Sequence, residues 1–123
     1  MTHSFYGLDH IQIAAPEGSE DAMRHFFHGI LGMEEIEKPD HLKKRGGVWF
    51  RCGERQIHVG IDHDFKPAKK AHPAIHVKNI DDLKTVLANK GIRIDSGEPL
   101  PGAKRFYVDD PFGNRIEFLE WLP

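Results

Sequence analysis

Nine histidines stand in this chain of 123 residues, and four polar residues set among apolar neighbours suggest a chemistry for them. His10 lies in Leu8-Asp9-His10-Ile11-Gln12-Ile13-Ala14 and His58 in Ile57-His58-Val59. His72 lies in Ala71-His72-Pro73-Ala74-Ile75-His76-Val77, and Glu117 in Ile116-Glu117-Phe118. Alternation of polar and apolar residues is the period of a half-buried strand, so each of these four faces away from its apolar neighbours. If the apolar sides all pack under helices, the other sheet face gathers His10, His58, His72 and Glu117. Three imidazoles and one carboxylate are the donor set of a divalent metal site.

Spacing limits which residues can share an ion. His72 and His76 are roughly 13 Å apart on a strand, while ligand atoms lie about 2.0–2.2 Å from a metal, so only one of them can serve. His72 matches His10 in the repeat described below, which leaves His76 as a cavity-wall residue. Gln12, about 6.6 Å along from His10, suits substrate contact. His3, His25, His28, His41 and His63 fall on the N-terminus, helix or loops, where solvated or hydrogen-bonded roles are expected. Any single strand histidine is more often a hydrogen-bonded residue than a ligand. Four in phase at equivalent positions favour ligation.

The elements that must hold these residues occur twice. In the first half, the strand around Leu8–Ala14 is followed by a helical pattern that Ser19 is placed to cap, with Met23, Phe26, Phe27, Ile30 and Leu31 on one side and Gly32 at its end. Strands at Val48–Cys52 and Gln56–Ile61 flank a turn at Gly53-Glu54-Arg55. In the second half, a strand over Ala71–Val77 precedes a helix that Asn79 or Asp81 can cap and Gly91 closes, with Leu83, Val86 and Leu87 on one face. Strands Arg105–Asp109 and Arg115–Trp121 then flank Asp110-Pro111-Phe112-Gly113-Asn114. His10 precedes His72 by 62 residues and His58 precedes Glu117 by 59. The expected architecture is one α+β domain over residues 1–123, made of two strand–helix–three-strand modules at about 5–62 and 71–122. The joint Asp62–Lys70, with its basic run Lys66-Pro67-Ala68-Lys69-Lys70, reads as a solvated surface loop.

Other classes of function find little support. Seventeen Lys and Arg against nineteen Asp and Glu provide no basic field for nucleic acid. The apolar runs are far too short for a bilayer span, and Met1-Thr2-His3-Ser4 lacks a signal-peptide pattern. A single cysteine, Cys52, builds no disulfide framework, so a cytoplasmic location is expected and an inert packed thiol is its expected state. Dinucleotide, P-loop, zincin, nucleophile-elbow and dithiol motifs are absent.

Together these residues resemble the vicinal oxygen chelate superfamily, which comprises glyoxalase I, bleomycin-resistance proteins, fosfomycin-resistance enzymes and extradiol dioxygenases. The resemblance runs from about Leu8 to Trp121. It rests on Leu8-Asp9-His10-Ile11, on His72-Pro73-Ala74-Ile75, and above all on the closing Phe106-Tyr107-Val108-Asp109-Asp110-Pro111-Phe112-Gly113-Asn114-Arg115-Ile116-Glu117. It implies paired βαβββ modules whose curved mixed sheets enclose a cavity, with His10, His72 and Glu117 on a divalent metal and His58 at the family's variable fourth position. Glyoxalase I-like members usually carry Glu or Gln there, so His58 is a departure that argues against lactoylglutathione lyase activity.

The expected function is a metal-dependent enzyme of glyoxalase or dioxygenase type, acting on a small vicinally oxygenated molecule by lyase, isomerase or oxygenase chemistry. Zn, Ni, Fe, Mn and Co all remain open as the metal. Glu117 and His58 are the candidates for moving a proton. Gln12, His76, Trp49, Phe50 and Phe106 are the candidates for lining the substrate site, with Tyr107 and Phe112 as further aromatics. Core packing is the commoner task of such aromatic residues. A homodimer is expected: the resemblance implies one, with cavities formed by both subunits, and small half-modules leave sheet edges that need cover. The alternative is a metal-free drug- or ligand-binding protein of the bleomycin-resistance kind.

Overall fold

In the computed structural model, which describes residues 2–123, the period-2 stretches become two sheets. The first half contributes β1 (His10–Ala15), β2 (Glu35–Ile36), β3 (Val48–Cys52) and β4 (Arg55–Ile61), ordered β1-β4-β3-β2. The second half contributes β5 (Ala74–His76), β6 (Ala103–Asp109) and β7 (Arg115–Trp121), ordered β5-β7-β6. In each sheet the first strand runs parallel to the last, and the last closes an antiparallel hairpin. The protein therefore has the expected α+β architecture of two βαβββ-like mixed sheets.

Register decides which side chains share a face. Ile13 lies opposite Val59, which lies opposite Val48, and Phe50 lies opposite Ile57. These apolar residues join Met23, Phe26 and Phe27 in a core that also takes in Ile75, Leu87, Phe106, Ile116 and Phe118 from the second half. Phe27 is wholly buried and tilts against Phe50 at 5.2 Å between ring centroids. Truncating such a ring to Ala costs about 3–5 kcal/mol.

The helices differ from expectation in detail. Ser19 precedes α1 (Glu20–Arg24) as expected, but its backbone is already helical and its buried hydroxyl makes no hydrogen bond. A capping serine needs extended backbone to aim its oxygen at the first amides. The helix then widens into a π-turn over His25–Ile30, where Leu31 N–H reaches back to Phe26 at 3.0 Å. A short α2 (Asp40–Lys43) forms where the sequence pattern marks no helix. Asn79 occupies the N-cap position of α3 (Ile80–Asn89) in the left-handed region without a capping bond of its own. Glu120 of β7 takes that role, accepting from the Asn79 and Ile80 amides at 3.1 and 3.0 Å.

Two strand expectations also change. The strand expected over Ala71–Val77 is assigned only to Ala74–His76, since Pro73 has no amide to donate, although its carbonyl still accepts from Glu117 N–H at 3.0 Å. The third strand expected after α3 shrinks to one bridge, Asp95 with Tyr107. Gly97 at φ +63° and the prolines at 99 and 101 cut it short.

The turn before β7 ties the halves together. Asn114, buried, donates Nδ2 to the Ala14 carbonyl and to Asp110 Oδ2, both at 2.8 Å, and its Oδ1 accepts from Ala68 N–H at 3.0 Å. One side chain thus joins β1, the joint between modules and the head of β7.

Candidate functional site

The polar face of the first sheet holds one pair of the expected ligands. Register sets Gln12 beside His58 and His58 beside Trp49, with His10 beside Gln56. The rings form a stack: Trp49 and His58 lie 3.8 Å apart with planes 1° from parallel, and His58 and His10 lie 4.2 Å apart at 19°. His10 Nδ1 donates to Asp9 Oδ1 at 2.8 Å, which holds the Asp9 carboxyl below its usual range. The neutral His10 ring then keeps its lone pair on Nε2, the arrangement by which a carboxylate orients a metal-ligating imidazole.

His58 is held differently. Its Nε2 meets Gln56 Oε1 at 2.8 Å, so the proton belongs on Nε2 and Nδ1 keeps the lone pair. Burial first, then the neighbouring His10, push its pKa down. A neutral ring is what both a metal ligand and a general base require.

The second sheet holds the other pair. His72 precedes β5 rather than lying in it, and its Nδ1 donates to the Lys70 carbonyl at 2.8 Å. Its Nε2 lies 3.0 Å from Oε1 of buried Glu117. A carbonyl only accepts, so in the neutral ring the Nε2 lone pair confronts a carboxylate oxygen. Two acceptors at that distance need positive charge between them, either a proton or a metal cation. Tyr107 lies opposite Glu117 across the ladder and meets the His72 ring edge-on at 5.4 Å.

Within one chain the two pairs do not merge. Among the described residues, no group of three or more His, Cys, Asp or Glu side chains is placed to hold an ion. The expected convergence of four ligands is thus replaced by two pairs, His10 with His58 and His72 with Glu117. The reason is topological: each module completes its own sheet, and each pair belongs to one sheet.

The expected wall residues divide. Gln12 is exposed and lies across Gly60, where a Cβ would stand 2.6 Å from Gln12 Nε2. Gln12 and Trp49 line a cavity of about 280 Å³ with Lys38, Leu42 and Arg45. His76 is exposed on the face that Glu117 shares. Phe50 and Phe106 are a correction: both are buried in the core, paired with Ile57 and Phe118 on the apolar faces. Strand parity already set them opposite to His58 and Glu117. Asp9, Gln56 and Arg105 join the site without being among the residues the sequence pattern assigns to it. Gln56 could have been found from the parity it shares with His58, and Arg105 from the parity it shares with Tyr107 in the hairpin with Glu117.

The sequence profile of the Glyoxalase/Bleomycin resistance protein/Dioxygenase superfamily matches residues 7–118. The chain belongs to this superfamily. A candidate glyoxalase family protein from Bacillus anthracis is 51% identical and superposes with a TM-score of 0.95, over 98% of this chain and 99% of that one. Lactoylglutathione lyase from Agrobacterium tumefaciens shares the glyoxalase fold at 19% identity and a TM-score of 0.76, over 96% of both chains. A glyoxalase/dioxygenase from Nostoc punctiforme does so at 21% identity and 0.78, over 96% of this chain and 92% of that one. No protein of curated function matches the chain. Among the described residues of this glyoxalase-superfamily chain, no helix is long and apolar enough to cross a membrane.

Proposed function

We propose that the chain is a metal-dependent enzyme of glyoxalase or dioxygenase type, assembled as a homodimer in which His10 and His58 of one copy and His72 and Glu117 of the other hold one divalent ion. The observation that carries this reading is the His72 Nε2 to Glu117 Oε1 contact at 3.0 Å, two ligand atoms close enough to share one ion when the ring is neutral. Three features support it. His10 Nε2 and His72 Nε2 are each freed by an oxygen that claims Nδ1. Each pair alone is half of a four-residue donor set. Phe5, Tyr6, Leu8, Trp121 and Leu122 are exposed, with Phe5 at 89% and Tyr6 at 95%, and apolar surface of this kind favours association.

The donor set suits Zn, Ni, Fe, Mn or Co. Such an ion, when bound, supplies open positions for two adjacent substrate oxygens and charge to stabilise negative charge developing on them. This chain's residues do the rest. Gln12 and Trp49 line the approach, and the stacked rings of Trp49 and His10 hold His58 in one plane. His58 Nδ1, unprotonated while Gln56 holds Nε2–H, can take a ligand's place or accept a proton from substrate. Glu117 can do the same through Oε1 or Oε2.

A metal-free ligand-binding protein is the second reading, favoured by the Gln12–Trp49 cavity and by Gln56 already occupying His58 Nε2. Metal content separates the two. Untagged protein purified without chelator is expected to carry about one divalent ion per chain, and His72→Ala/Glu117→Ala to carry none while still unfolding cooperatively. Wild-type protein that neither retains nor takes up a divalent metal sinks the enzyme reading in favour of the binder.

A further inference from the structure

Arg105 lies on β6 on the same face as Tyr107 and Glu117, and its side chain is 19% exposed. It is anchored away from Glu117. Nε and Nη2 both donate to the Glu98 carbonyl, at 3.1 and 2.8 Å. Nη1 points to Glu117 Oε2 at 3.6 Å, beyond hydrogen-bond reach. Glu117 takes its close contact from His72 instead. A second guanidinium, that of Arg115, lies 3.7 Å from the centre of the Tyr107 ring, and Arg105 lies 5.5 Å from it.

We infer that Arg105 is the recognition group for an oxyanion carried by the substrate in addition to its two chelating oxygens, so that the substrate class is an anionic vicinal-oxygen compound such as a hydroxy acid bearing a further carboxylate or phosphate. This rests on the proposed metal site. The charges favour it: a dication, one Glu117 carboxylate, three neutral imidazoles and one Arg105 guanidinium leave a net charge of about +2 before substrate enters. A guanidinium fixed on Glu98, whose Nη1 makes only a 3.6 Å ion pair with Glu117 and no hydrogen bond, is suited to a planar or tetrahedral oxyanion.

Three α-hydroxy acids with the same chelating pair of oxygens test this: lactate, malate with an added carboxylate, and 3-phosphoglycerate with an added phosphate. Binding is titrated on Co²⁺-loaded protein by its visible absorption, for wild type, Arg105→Met and Arg105→Lys. Wild type is expected to prefer malate or 3-phosphoglycerate to lactate, and whichever is preferred identifies the oxyanion. Arg105→Met should weaken that ligand by about 10- to 100-fold while changing lactate affinity and cobalt content little, and Arg105→Lys should restore part of the preference. Equal loss for all three acids, or loss of cobalt, makes Arg105 a support for Glu117 and overturns the inference. No change for any acid overturns it too. Wild-type protein that takes up no cobalt overturns the metal site, and the oxyanion subsite with it; cobalt uptake without any preference among the acids overturns the subsite alone.

Discussion

If each metal centre takes one pair of ligands from each chain, two chains crippled in opposite halves should repair one another. The perturbations are His10→Ala/His58→Ala, which empties the first sheet's pair, and His72→Ala/Glu117→Ala, which empties the second's. His10, His58 and Glu117 lie on sheet faces away from the core residues Ile57, Val59, Ile116 and Phe118, and His72 precedes β5, so both variants should fold. Each variant alone has no complete site and should bind no stoichiometric metal. Equimolar mixing with subunit exchange makes half of the dimers mixed by statistics, and each mixed dimer regains one complete site and one with no ligands. The expected metal content is therefore about a quarter of wild type per chain, provided the dimer is symmetric. Elemental analysis after gel filtration measures it, and mixed dimers isolated by two different affinity tags should carry about one ion each. A single-chain site predicts no metal in the mixture at any ratio. Recovery close to zero, with subunit exchange verified by mass spectrometry, would falsify the shared centre.

Asn114→Ala removes three hydrogen bonds at once, one buried to Asp110 and two part-buried to Ala14 and Ala68, and should cost about 3–5 kcal/mol. In urea that is a midpoint lower by about 2 M, and a shift below about 0.5 M would show that the turn does not join the halves. His58 is pushed down by burial, so in metal-free protein the unfolded chain binds its proton more readily than the native one. Its contribution to stability is fully present above the unfolded value of about 6.5 and is lost as pH falls from there toward the depressed native value. The melting temperature of wild type relative to His58→Gln should therefore drop on acidification from pH 8 to 5; a flat difference means that His58 is not shifted.

The elements bearing the site were readable because strand parity is a local property. Alternation around His10, His58 and Glu117 predicted their faces, and β3 and β7 occur where the apolar pattern placed them. Capping was less readable, because the carboxylate that caps α3 comes from Glu120, far along the chain. Phe50 and Phe106 illustrate a local signal given too little weight: their parity with Val48 and Val108 already assigned them to the core.

What the sequence determined by itself is which residue types face away from the core at repeating positions, since a pleated strand sends alternate side chains to opposite sides whatever its surroundings. What only the tertiary structure decided is how those residues group. Each module closes a sheet of its own, so three imidazoles and a carboxylate become two pairs, His10 with His58 and His72 with Glu117. Nor does local pattern announce which oxygen claims which ring nitrogen. Asp9 adjoins His10 and Gln56 sits two residues from His58, but their contacts depend on side-chain rotamers that the local pattern does not specify. The proton placement on each imidazole, and with it the lone pair left for a metal or a substrate, is therefore a property of the folded chain.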